Sequence, residues 1–208
     1  MPLARVVLSV AAALSVATPA LAGLPTPDPG LSTIPPCFVS CPDGSFESAI
    51  VVRASFGGFP VPGSIVVLNY SACAGVVICP VDPADGYLHN PTLKTLMLVT
   101  DATGTARFRI RGGGACASPG IQIFADGIGF GSRPIAGVDQ TADLVVDSQD
   151  VDAVLARVGT ADLTGDLDCS GSVTAADVAI VTQHLNAMCA IATPSRPTSW
   201  GRVKILYR

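Results

Sequence analysis

Glutamate and tryptophan each occur once in this 208-residue chain, as Glu47 and Trp200, and aromatic residues make up only 5% of it. So few aromatics count against a platform on which sugar rings stack. There are two histidines, His89 and His184, and neither stands at ligand-like spacing from a cysteine; with no Cys-x-x-Cys pair either, zinc is the weaker reading of the cysteines. No Gly-x-Ser-x-Gly elbow is present, and no two carboxylates are nominated as a glycoside-hydrolysing pair. Cys116 with His89 can be written as nucleophile and base, yet a disulfide cysteine and a loop histidine account for both. Gly112 to Gly114 is read as a turn, because Pro119 and a strand follow it where a phosphate loop requires a helix. These absences predict a non-catalytic protein. The net charge of −4 argues against nucleic acid as a partner.

Long apolar runs are also missing after the first 22 residues, so nothing later reaches the roughly 20 residues needed to span a bilayer. Residues 1–22 carry Arg5, an apolar run from Val6 to Leu14 and the small-residue site Ala20-Leu21-Ala22, which reads as a secretory signal peptide. Its removal near Ala22 takes Arg5 away, leaves the chain one unit more acidic, and places the product outside the cell or on its surface. All seven cysteines, Cys37, Cys41, Cys73, Cys79, Cys116, Cys169 and Cys189, lie beyond the leader, and export makes disulfides their default reading. Cys73 with Cys79 is the best local pair. The odd count leaves one thiol over.

What the chain does have is acid in one place. Nine of its sixteen acidic residues fall between Asp139 and Asp177, beside a single base, Arg157. The segment from Asp166 to Asp177 puts Asp166, Asp168, Ser170, Thr174 and Asp177 at positions 1, 3, 5, 9 and 12 of a loop, with Gly171 at position 6 and the Ser172 carbonyl at position 7. Calcium takes six to eight oxygens, and a loop of this spacing supplies them from alternate positions around a sharp turn at position 6. The pattern recurs 27 residues earlier as Asp139, Thr141, Asp143, Val145 (by its carbonyl), Asp147 and Asp150. Leu144 there takes the glycine position, where a positive φ costs a non-glycine residue roughly 1–2 kcal/mol. After each loop, Val151, Val154, Leu155 and Val158, then Val178, Val181 and Leu185, recur with helical spacing. Glycines and a proline in 127–138 exclude a helix before the first loop.

On these residues the segment 137–189 resembles the type I dockerin family. The family-like features are Asp150 and Asp177 at position 12, Val146 and Val173 at position 8, and the opening Gly165-Asp166. The resemblance implies two calcium ions held in duplicated loop–helix repeats, and docking into a cohesin-like module of a larger scaffold. The family's partner-contacting positions, 10 and 11, fall on Ser148-Gln149 and Ala175-Ala176, which differ between the repeats and identify no partner.

Upstream, 45–134 reads as short β-branched segments between turns, spaced as in an all-β sandwich. Strands are expected near Ala49–Ser55, Ser64–Tyr70, Lys94–Thr100, Thr105–Arg111 and Gly120–Ala125. Alternation from Thr105 places Arg107, Arg109 and Arg111 on the solvent face. Two stretches resemble bacterial immunoglobulin-like domains of the invasin type and carboxypeptidase-regulatory-like modules: Phe59 to Gly63 leading into a strand, and Thr100 to Gly104 followed by Ala106 to Ile110. That resemblance implies a fold and a spacer or binding role, with no chemistry.

The expected architecture is therefore multidomain: signal peptide (1–22), Pro-rich linker (23–44), immunoglobulin-like β-sandwich (45–134), a small α-helical dockerin-like pair of calcium loop–helix repeats (137–189), and a linker with a basic aromatic tail (190–208). Three functions fit it. One is calcium-dependent docking to a cohesin-like partner. Another is a surface adhesin or spacer that calcium only rigidifies, and the third is an accessory role in extracellular polysaccharide degradation.

Overall fold

A computed structural model describes residues 25–80 and 86–189. The expected signal peptide and the tail from residue 190, with Trp200, lie outside the described residues. Within them the chain is mostly β. The strands are β1 (Phe38–Ser40), β2 (Ser48–Val51), β3 (Ile65–Asn69), β4 (Val77–Ile78), β5 (Leu88–Asn90), β6 (Thr95–Val99), β7 (Thr105–Phe108), β8 (Gly112–Gly113), β9 (Cys116–Ala125) and β10 (Ile128–Gly137); α1 (Ser148–Leu155) and α2 (Ala175–Gln183) follow. No described helix is long and apolar enough to cross a membrane.

Period-two patterning builds the sheet. Val66 and Leu68 of β3, and Ile121, Ile123 and Ala125 of β9, are buried on one face, and their neighbours point the other way. Six strands pair in the order β1-β10-β9-β3-β6-β5, all antiparallel except β1 with β10. The separate β2–β7 pair contributes Ile50, Ala106 and Phe108 to the same core as Phe38, Val66, Leu68, Leu96, Ile121 and Ile123, so the pair and the sheet close over one apolar layer. All five expected strand regions contain strands, though β2 stops at Val51 and β7 at Phe108.

Three expectations change. Residues 128–137, read only as non-helical, form a ten-residue strand. Asp126 and Gly127, at φ 49° and 82°, make the two-residue turn that folds β10 back on β9, and Gly129 and Gly131 sit where the register shifts, so these glycines serve irregularities in the pairing. The Pro-rich segment expected as a linker is docked from residue 26 on: Ser55 N–H donates to the Thr26 carbonyl, and Thr33 and Val51 exchange backbone bonds at 2.9 Å. Arg107 and Arg109 are exposed and share Glu47 at 3.0 and 3.2 Å, but Arg111 is buried, its Nε donating to the Pro42 carbonyl.

The cysteines pair across the fold, as Cys37–Cys169, Cys73–Cys116 and Cys79–Cys189. The local Cys73–Cys79 bridge is thereby overturned. Cys73 turns to Cys116 of β9 and Cys79 to Cys189, beyond α2, with Cα atoms 5.6 and 5.7 Å apart. Cys41 is the odd thiol and is buried. The helical segment is not a separately cored appendage. Val39, Cys41, Ala136 and Val138 from the ends of β1 and β10 share a second core with Val146, Val154, Leu167, Val173 and Val181.

Candidate metal centre

The two acidic loops adopt one backbone shape. Positions 4 and 6 are left-handed in both, Ala142 and Leu144 at φ 62° and 69°, Cys169 and Gly171 at 58° and 95°. In each, the position-1 aspartate is buried and folds the loop around itself. Asp139 accepts from the Ala142 and Leu144 amides, both at 2.7 Å; Asp166 accepts from Ser170 and Gly171, at 2.9 and 2.7 Å. The position-12 aspartate closes the loop. Asp150 accepts from the amides of Gln140, Thr141 and Asp147, and Asp177 from those of Leu167, Asp168 and Thr174. Positions 9 and 12 thereby also form the capping boxes of α1 (Asp147, Asp150) and α2 (Thr174, Asp177).

The repeats exchange backbone bonds with each other. Val146 N–H donates to Ala187 and accepts from Asn186 through its carbonyl, both at 2.8 Å, while Val173 donates to Thr160 and accepts from Gly159, at 2.9 and 2.8 Å. Each member of one pair lies 27 residues from its counterpart in the other. The sequence duplication is therefore a structural one, with the position-8 valine of each loop bonded to the segment that follows the other repeat's helix.

Which acids meet differs between the loops. Asp166, Asp168 and Asp177 bring carboxylate oxygens within 4.8 Å of one another. Ser170 donates its hydroxyl to the Ser172 carbonyl at 3.1 Å, which places both next to that cluster's loop turn. Among the described residues Asp139, Asp143 and Asp150 form no such group; Asp143 instead accepts from the Val145 amide, and the Thr141 hydroxyl donates to Asp139. The Leu144 substitution coincides with this looser arrangement. Burial pushes the Asp139 carboxyl above its ordinary range, whereas hydrogen bonding to Ser170 holds exposed Asp168 below it.

The chemistry of this donor set suits a hard divalent cation. Asp139, Asp150, Asp166 and Asp177 are all almost fully buried, and the one base nearby, Arg157, is committed to Asp162, Gln140 and the Ala153 carbonyl. Buried charges are paired, hydrogen-bonded or metal-bound; Asp139 Oδ2, Asp150 Oδ2 and Asp166 Oδ2 each accept one amide proton and keep a further lone pair, whereas both Asp177 oxygens already accept two bonds each. Gln140 was not anticipated from the sequence. From position 2 of the first loop its amide nitrogen donates to the Thr164 carbonyl at 2.9 Å and its oxygen accepts from Arg157 at 2.7 Å, tying the loop to the start of the second repeat. Its only sequence signal is that the equivalent position in the second repeat holds a buried leucine, Leu167.

Elsewhere, Cys116 is in a disulfide and His89 Nε2 lies 2.7 Å from the Tyr70 hydroxyl, so the two do not form a nucleophile–base pair. No known protein family, curated protein or solved structure matches this chain.

Proposed function

We propose that this is an exported, non-catalytic calcium-binding protein whose C-terminal loop–helix pair is a dockerin-like docking module seated on an immunoglobulin-like β-sandwich, with a cohesin-like module as partner. Asp166, Asp168, Ser170, Thr174, Asp177 and the Ser172 carbonyl would hold one ion. Asp139, Thr141, Asp143, Asp147, Asp150 and the Val145 carbonyl would hold a second. Calcium supplies charge: it neutralises buried carboxylates and joins the start of each loop to the helix that follows.

The observation that carries the docking reading is what the helices leave uncovered. Only Val154 and Val181 are fully buried from their two apolar stripes, and Leu155, Val158 and Leu185 remain 55%, 43% and 40% exposed. Val158 and Leu185 are equivalent in the two repeats. Ser148, Gln149, Ala175 and Ala176, at the positions that contact partners in the resembled family, are exposed as well. A duplicated surface with unburied apolar residues beside two helix N-termini suits a protein partner.

The test is retention of envelope and secreted proteins on the immobilised chain in millimolar calcium and in EDTA, with Asp166→Ala/Asp168→Ala as control. A protein retained only with calcium, and lost in the double variant, supports docking. The adhesin or spacer reading draws on a specific feature too, the Cys37–Cys169 bridge and shared core that fuse the module to the β-body. On that reading binding survives both EDTA and the double variant, while calcium changes only thermal stability. Calorimetric calcium titration identical in wild type and double variant would remove the site assignment itself.

A further inference from the structure

We propose that Cys41, Asp43 and His184 form a second, chemically distinct metal site, one that takes a thiophilic divalent cation of the zinc class. The sulfur, a carboxylate oxygen and a ring nitrogen of these residues lie within 4.8 Å of one another. Sequence spacing gave no hint of the site, since His184 stands far from every cysteine but Cys189. The fold supplies it. Cys41 and Asp43 follow β1, and His184 caps the C-terminus of α2.

The histidine is set as a ligand is set. Its Nδ1 lies 2.8 Å from the Ile180 carbonyl, and a carbonyl only accepts, so Nδ1 carries the proton and the neutral ring keeps its lone pair on Nε2. That is how metal-binding histidines are oriented, by a hydrogen bond through the other nitrogen. Phe46 packs on the ring with centroids 5.0 Å apart and fixes its tilt.

The other two ligands sit on a braced turn. Cys41 N–H donates to the Ile110 carbonyl and Gly44 N–H to that of Cys41, at 3.1 and 2.9 Å. From below, Arg111 Nε donates to the Pro42 carbonyl at 3.3 Å. Asp43 is exposed and Cys41 has no exposed surface, so the carboxylate is the solvent-facing member of the cluster and the sulfur its buried one. That burial also excludes Cys41 as a nucleophile toward a substrate. The other six cysteines are paired, which leaves this thiol no disulfide partner within the chain.

The donor set decides the metal. Thiolate, imidazole and carboxylate together suit zinc, with water completing a tetrahedron. Calcium takes oxygen ligands and has no use for the sulfur. Burial pushes the thiol up to about 12, so the free sulfur keeps its proton; on binding, the S–H bond gives way to a metal–sulfur bond and the proton passes to solvent. The bound ion would clamp the end of α2 to the turn after β1, five residues from the Cys79–Cys189 bridge.

The experiment uses the full chain with its three disulfides intact, in excess calcium so that the acidic loops do not compete. Cobalt is titrated in as a spectroscopic stand-in. The expected result is a thiolate-to-cobalt charge-transfer band saturating at one ion per chain, abolished by zinc and absent in Cys41→Ser. His184→Gln should weaken zinc binding by more than about tenfold, the scale lost when even an outer-shell partner is removed. Absence of the band in the folded wild type overturns the site, whatever the variants do, and so does unchanged zinc affinity in Cys41→Ser. Because the readout is sulfur-specific, failure of the calcium reading leaves this result untouched, and the reverse holds.

Discussion

Leu144 carries the clearest single-residue cost. At φ 69° it occupies the left-handed region that its counterpart Gly171 enters freely. Leu144→Gly should therefore stabilise the protein by about 1 kcal/mol in denaturant melts, and should tighten the calorimetrically measured calcium affinity of the first loop; a loss of stability would show that the leucine's partial burial outweighs its backbone strain. His89 makes a pH prediction. Burial holds its imidazole below the ordinary histidine range, so the unfolded chain takes up a proton that the folded chain refuses. Stability is then full above pH 6.5 and declines as pH falls from there toward the depressed folded value. His89→Gln should flatten the denaturant midpoint between pH 7 and 5.5 relative to wild type.

Turns and caps decide the elements. Asp101, named in the turn signature from Thr100 to Gly104, accepts from the Thr103 and Thr105 amides at 2.8 and 3.1 Å and shapes the link between β6 and β7. Gly104 completes it at φ 72°, where an added Cβ would meet the Val52 oxygen and Val61 nitrogen at 2.8 Å. Gly104→Ala should cost at least about 2 kcal/mol from strain and displaced backbone, measured by chemical denaturation. The same local logic made the loop–helix units legible. Ligand positions 9 and 12 are also the N-cap and N3 of each helix, so one set of residues announces both the loop's end and the helix's beginning. Strand β10 was illegible for the opposite reason. Its glycines dilute the period-two signal, and the one local hairpin signal, the Asp126-Gly127 pair, was not read as such. The helical stripes overstated burial, because apolar periodicity registers Val158 and Leu185 without revealing that no described element covers them.

At the scale of the molecule, the β-body and the loop–helix pair are held as one by two long-range disulfides and a common core. Cys37–Cys169 spans 132 residues and anchors position 4 of the second loop. Replacing both cysteines by alanine should lower unfolding stability by about 2–5 kcal/mol, through the entropy restored to the unfolded chain. It should also loosen the second loop, read as faster amide exchange at Gly171 and Ser172. Exchange confined to the β-body would contradict that coupling.

The sequence by itself determined the acidic loops, their 27-residue duplication, the helix after each, the turn signatures and most of the strand positions. All of these but the duplication, which is a comparison of two such stretches, are properties of about a dozen consecutive residues, where spacing fixes geometry. Only the tertiary structure decided that Cys73 bonds Cys116 and Cys79 bonds Cys189, that Arg111 lies under the Cys41 turn and away from solvent, and that His184 meets Cys41 and Asp43. Those outcomes depend on which strands lie side by side. In a sheet whose order runs β1-β10-β9-β3-β6-β5, the β1–β10, β9–β3 and β3–β6 neighbours are far apart along the chain, and no local pattern encodes those pairings.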